Sequence, residues 1–177
     1  MVSESSRTGK SGRLLHRRQL LLLYSEALTW FKKALESRDD NASPDPEDVP
    51  VYIVLGSMYM HGHGTLQDFS EAAKWLGKAA ELGEPKAQGQ MAFFYYSGQG
   101  VLMNDAKARY WAEKAAAQKN FGASFQLGTI YENGIGVPKD LAKAHHYYKQ
   151  AVKNGKRDYL IEALRDFENE HHLHSTD

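Results

Sequence analysis

The chain has 177 residues, with 22 basic and 22 acidic side chains and no cysteine. That length supports one domain with a substantial core. The balanced charge offers no field for nucleic acid or an anionic membrane, and the lack of cysteine excludes a disulfide framework and thiolate metal sites.

In chain order, residues 1–12 are Ser, Gly and basic residues without apolar periodicity, and the expectation there is disorder. Gly9-Lys10-Ser11 ends like a phosphate-binding loop, but Glu4 stands where its first glycine belongs and no strand precedes it. Residues 13–37 read as an N-terminal helix followed by a degenerate half repeat. Arg7, Lys10, Arg13, Arg17 and Arg18 stand against Glu4 alone in the first 23 residues, so a mitochondrial presequence is the alternative to an intracellular, cytoplasmic setting. The leucines at 20–23 are far too few for the ~20 apolar residues that span a bilayer. Residues 38–50 are acidic, hold Pro44, Pro46 and Pro50, and predict a surface loop. Asn41-Ala-Ser43 fits the glycosylation pattern by chance, there being no recognisable secretory signal.

The remainder is periodic. Tyr59, Tyr95 and Tyr131 are spaced by 36 residues, as are Gly62, Gly98 and Gly134, and Gly64, Gly100 and Gly136. A second phrase keeps the same phase: Ala72, Trp75, Ala79; Ala108, Trp111, Ala115; Ala144, Tyr147, Ala151. A fixed period of this length marks helical repeats stacked as a solenoid. The repeats are 51–86, 87–122 and 123–158. In each, relative positions 1, 5, 8, 9 and 12 form the framework of the first helix, the first four as one apolar stripe. The first glycine ends that helix in a left-handed cap. Asp68, Asn104 and Asp140 cap the second helix, with Glu71 placed to complete a capping box. Tyr24 to Trp30 matches Phe69 to Trp75 at an offset of 45 residues, which makes it the second helix of an earlier repeat; Arg17 stands where its turn glycine would be. Residues 159–170 predict a capping helix, with Phe167 in the Tyr131 place and Glu170 in place of the turn glycine. Residues 171–177 read as a frayed tail.

Together Leu127, Gly128, Tyr131, Gly134, Gly136, Val137, Asp140, Ala144, Tyr147 and Ala151 give the best copy of a pattern that resembles the Sel-1-like repeat, a relative of the tetratricopeptide repeat. The second copy departs from it at Ala92 and Lys119. The resemblance covers residues 51–158 and the half repeat. It implies an all-α, right-handed superhelix of antiparallel helix pairs acting as a non-catalytic adaptor, and it implies no cofactor. Its disulfide-stapled secreted branch is not matched, for want of cysteine. The half repeat with its acidic insert is also weakly similar to the C-terminal helical region of the elongation factor 2 kinase. The second functional reading is therefore a regulatory or targeting module detached from a larger enzyme.

No chemistry converges by spacing. His61 and His63 share the first turn without a third ligand in register, and His171, His172 and His174 are terminal, suited only to adventitious metal. His145 and His146 read as packing or exposed residues beside Tyr147 and Tyr148. The residues the repeat does not require lie at relative positions 4, 7 and 10. They are Val54, Ser57 and Met60; Gln90, Phe93 and Tyr96; and Gln126, Thr129 and Glu132, with His61, Ser97 and Asn133 following them. First helices line the concave face in the family, so large apolar residues among polar ones there predict a groove for a protein or peptide partner.

Overall fold

The computed structural model describes residue 19 and residues 22–35 and 44–173, so the expectations for 1–18, 36–43 and 174–177 lie outside the described residues. Among the described residues eight α-helices follow one another: α1 (22–35), α2 (Val49–His61), α3 (Phe69–Glu81), α4 (Pro85–Ser97), α5 (Asp105–Ala117), α6 (Phe121–Asn133), α7 (Leu141–Gly155) and α8 (Asp158–Glu170). The densest packing joins α2 to α3, α4 to α5 and α6 to α7, with each pair stacked on the next. The fold is an all-α solenoid of helix pairs.

The turn inside each pair is the same device three times. Gly62, Gly98 and Gly134 take φ near 70°, the left-handed conformation that costs glycine least. The cap residue of the second helix then closes the loop: the backbone N–H groups of Asp68, Asn104 and Asp140 donate to the carbonyls of Tyr59, Tyr95 and Tyr131 at 2.8–2.9 Å. That bond replaces the expected capping box. With the Asp68 N–H taken, the Glu71 carboxylate instead accepts from the Trp75 indole N–H at 3.2 Å. Asp68 Oδ1 still caps α3, accepting from the N–H groups of Ser70 and Glu71 at 2.9 and 3.0 Å.

The second turn glycine has a different purpose. A Cβ on Gly100 would run into the backbone of Phe69 and Ser70, and one on Gly136 would meet Asp105 Cβ at 2.5 Å. A Cβ on Gly64 would run into the backbone of Tyr24 and Ser25. Each glycine thus seats its turn on the start of the preceding repeat's second helix. The same contact at Tyr24 places α1 as a second helix in the register of the 45-residue offset. Lys32 Nζ also donates to the Tyr59 hydroxyl at 3.4 Å, while Leu28, Phe31 and Leu35 pack on the first core cluster.

The first helices bury more than one stripe. Positions 2 and 6, absent from the expected framework, are buried in every repeat: Tyr52, Gln88, Ser124; Gly56, Ala92, Gly128. Position 12 is the cap glycine and is not buried. A helix packed against its own partner and against the preceding repeat needs apolar, small or hydrogen-bonded residues on two sides, and Gln88 Nε2 accordingly donates to the Ala80 carbonyl at 3.1 Å. Position 6 matches the second helix by volume. Gly56 faces Leu76, Ala92 shares a core with Ala112, and Gly128 faces the Tyr148 ring. A Cβ on Gly56 would lie 2.5 Å from Leu76 Cγ, and one on Gly128 would lie 2.5 Å from Tyr148 Cε1.

Three further boundaries differ from the sequence reading. The stretch before α2 is partly ordered: Asp45 caps a single 3-10 turn at Pro46–Asp48 that runs into α2. Lys119 takes the left-handed φ of 64° that Gly83 supplies one repeat earlier, while in the third repeat α7 runs on through Gly155 and Lys156 turns the chain instead, at φ 47°. The tail is partly docked: Leu173 packs on the second core cluster and His172 sits at φ 53°, in the place of Gly136. Leu164 fills the position of Gly56, Ala92 and Gly128, leaving α8 without the small residue a close second helix needs.

Candidate protein-binding face

The nine residues at positions 4, 7 and 10 sit on α2, α4 and α6, but they are not equally free. Phe93 is 43% exposed and Val54 38% exposed, although Met91 and Phe94 beside Phe93 are buried. Helical geometry explains the contrast. Phe93 and Phe94 differ by about 100° around the axis, so one faces the core and the other solvent. Ser57, Gln90 and Tyr96 are half-buried. Met60 is half-buried and packs on the first core cluster.

The third repeat uses its polar atoms internally. Gln126 Nε2 donates to the Ala92 carbonyl at 3.0 Å and stitches α6 to α4. Thr129 Oγ1 lies 3.2 Å from the Tyr148 hydroxyl, which donates to Glu132 Oε2 at 2.6 Å. Burial, then the hydrogen bond to Glu132, pushes the Tyr148 hydroxyl well above the ordinary phenol range. Gln126 thus ties α6 to α4, and Thr129 and Glu132 tie α6 to Tyr148 of α7, while Phe93 and Val54 are the large apolar groups of the nine most open to solvent.

The histidines separate. His63 stacks on Tyr24 at 5.3 Å and lies 5.6 Å from His61. His145 Nε2 is 2.7 Å from Glu168 Oε1 and stacks on Phe167, joining α7 to α8. His171 Nε2 is 3.4 Å from Glu132 Oε1. Sequence spacing missed both pairs because each crosses between repeats, over 23 and 39 residues.

A broad cavity opens on another side, lined by Lys74, Lys78 and Glu81 of α3, Met91 and Tyr95 of α4, and Trp111 of α5. Lys78 stands over both Tyr52 and Trp75, so its charge is already held by aromatic faces.

Stacked helix pairs with glycine turns define a helical-repeat solenoid. The family model described as Sel1 repeat matches residues 24–39, 52–84, 85–120 and 122–156, and the chain belongs to the Sel1 repeat family. Proteins of this family are generally protein-interaction scaffolds and typically non-catalytic. The chain is similar to c5321 of uropathogenic Escherichia coli, described as a protective antigen displaying an SLR fold. Identity is 32% and the TM-score 0.65, over 75% of this chain and 26% of that one. It is similar to a Sel1 repeat protein from Oxalobacter formigenes at 34% identity and TM-score 0.61, over 74% of this chain and 50% of that one. It shares the fold of Helicobacter pylori cysteine rich protein B at 18% identity and TM-score 0.54, over 66% of this chain and 92% of that one. The chain thus spans a quarter and a half of the lengths of the first two. No curated protein matches it.

Proposed function

We propose that the chain is a scaffold that holds a peptide or protein segment on the face built by Val54, Ser57, Met60, Gln90, Phe93, Tyr96, Gln126, Thr129 and Glu132. The observation that carries this reading is the exposure of Phe93 in the middle repeat, on a helix whose Met91 and Phe94 are buried. An aromatic ring held rigidly by its helix and left in water can be buried by a partner at little conformational cost. Tyr96 and Gln90, half-buried beside it, supply polar contacts around that anchor. The polar groups of Gln126, Thr129 and Glu132 are engaged within the fold, so they shape the floor and leave fewer bonds for a ligand.

The experiment is affinity capture with the parent and with Phe93→Ser/Tyr96→Ser, after circular dichroism and thermal unfolding show both folded. The expected result is loss of a bound protein from the double variant. An unchanged set of bound proteins would move the site away from this face.

A further inference from the structure

The end of α8 brings together three ligating groups that are far apart in the chain. Glu132 comes from the last turn of α6, Glu170 ends α8, and His171 follows it. One donor atom from each lies within 4.8 Å of the others, and among the described residues no other three-residue group does so. Glu132 Oε1 and His171 Nε2 are 3.4 Å apart. Two ligands of a tetrahedral zinc ion, at bond lengths of about 2.0–2.1 Å, stand roughly 3.3 Å apart.

Two of the three groups are positioned by residues outside the cluster. The buried Tyr148 donates its hydroxyl proton to Glu132 Oε2, which fixes the carboxylate and leaves Oε1 beside His171. This is the kind of outer hydrogen bond that orients a ligating carboxylate. The His171 ring packs edge-on against Phe167 at 4.7 Å. The Glu132 and His171 side chains are only 20% and 15% exposed, whereas Glu170 faces solvent. Glu170 also departs from the repeat, standing where Gly62, Gly98 and Gly134 stand.

We propose that Glu132, Glu170 and His171 bind one divalent transition-metal cation, for which zinc is the best fit, and that the ion fastens the end of α8 to α6. Two carboxylates and one imidazole form a nitrogen and oxygen donor set suited to zinc. The open side at Glu170 leaves the fourth position to water. The ion would neutralise two carboxylates that otherwise face each other across a half-buried space. The site lies between α6 and α8 and shares Glu132 with the proposed binding face, but Glu170 and His171 belong to the metal cluster alone.

The test is calorimetric titration of the full chain with Zn2+, together with thermal unfolding at rising Zn2+. The parent is compared with Glu170→Gln and with His172→Ala/His174→Ala. The expected result is one Zn2+ per chain and an unfolding temperature that rises with Zn2+. Glu170→Gln should weaken binding at least about tenfold, as loss of a ligand should exceed loss of an outer partner. Its metal-free unfolding temperature should be at or slightly above the parent value, because Glu170 is exposed and its loss removes a carboxylate that faces Glu132. The His172→Ala/His174→Ala variant should bind as the parent does. Absence of Zn2+ binding, parent-like binding by Glu170→Gln, or loss of binding in His172→Ala/His174→Ala would each overturn the assignment. The last would show adventitious capture by the tail histidines.

Discussion

Trp30 and Trp75 occupy the same place in the repeat phrase, 45 residues apart, yet Trp30 is 72% exposed and Trp75 7% exposed. The difference lies in what stands beside them. Trp75 stacks on Tyr52 of α2 at 6.1 Å, and its indole N–H is satisfied by Glu71. Among the described residues, α1 has no first helix of its own to supply the counterpart of Tyr52. It is instead held to the stack by its other side, through Leu28, Phe31 and Leu35 and the seating of Gly64 on Tyr24 and Ser25. In a solenoid a residue's burial belongs to the neighbouring unit as much as to its own sequence.

That contrast can be broken by mutation, and the largest effect falls on the buried member. Trp75→Ala should cost about 3–5 kcal/mol in a chemical denaturation series, as large-to-small changes in a core do. Next comes the volume match between paired helices. Gly56→Ala should cost about 1–3 kcal/mol by forcing Leu76 aside. The double variant Gly56→Ala/Leu76→Ala restores the Ala92 and Ala112 pairing of the second repeat, and should cost less than the sum of the two single changes. Strict additivity would show that position 6 does not read the facing side chain.

Smaller effects sharpen the picture at the caps. Asp68→Ala should cost about 1 kcal/mol, because two N–H groups of α3 lose their acceptor. Asp140 is held below the ordinary aspartate range, chiefly by the backbone N–H of Lys143. Its contribution is therefore present above the unfolded-state value and is lost as pH falls through the lowered folded value. Acid titration of stability should flatten in Asp140→Asn relative to the parent. Tyr148 runs the other way. Its raised value contributes stability below the unfolded phenol value of about 10, and that stability is lost as pH rises toward the folded value. Tyr148→Phe should lessen the parent's decline at alkaline pH, leaving the part due to Tyr147, which burial also raises. The smallest change is Trp30→Ala, within about 0.5 kcal/mol of the parent, as for other exposed positions.

The sequence carried the period, the helix pairs and the glycine caps, because backbone conformation and spacing recur in every copy. Positions 2 and 6 escaped it because Tyr52, Gln88 and Ser124 share no polarity, and Gly56, Ala92 and Gly128 look like weak helix formers until the facing residue is known. Gly100 signalled a turn; its purpose, admitting the backbone of Phe69, is a contact between repeats and leaves no local pattern. Phe93 was legible as an aromatic the framework did not require, and it is half exposed on α4. Glu132 could not be distinguished from a free groove residue, because Tyr148 and His171 reach it from 16 and 39 residues away.

The central claim is that a partner docks at Phe93 rather than at other exposed aromatics. Its most direct test places a photoreactive benzoyl-phenylalanine at position 93, and separately at Tyr110, which is also exposed but lies on α5. After irradiation in the presence of captured partner, a covalent adduct from position 93 and none from position 110 is the result the account predicts. An adduct from position 110 alone would contradict it and place the partner on the second-helix side of the stack.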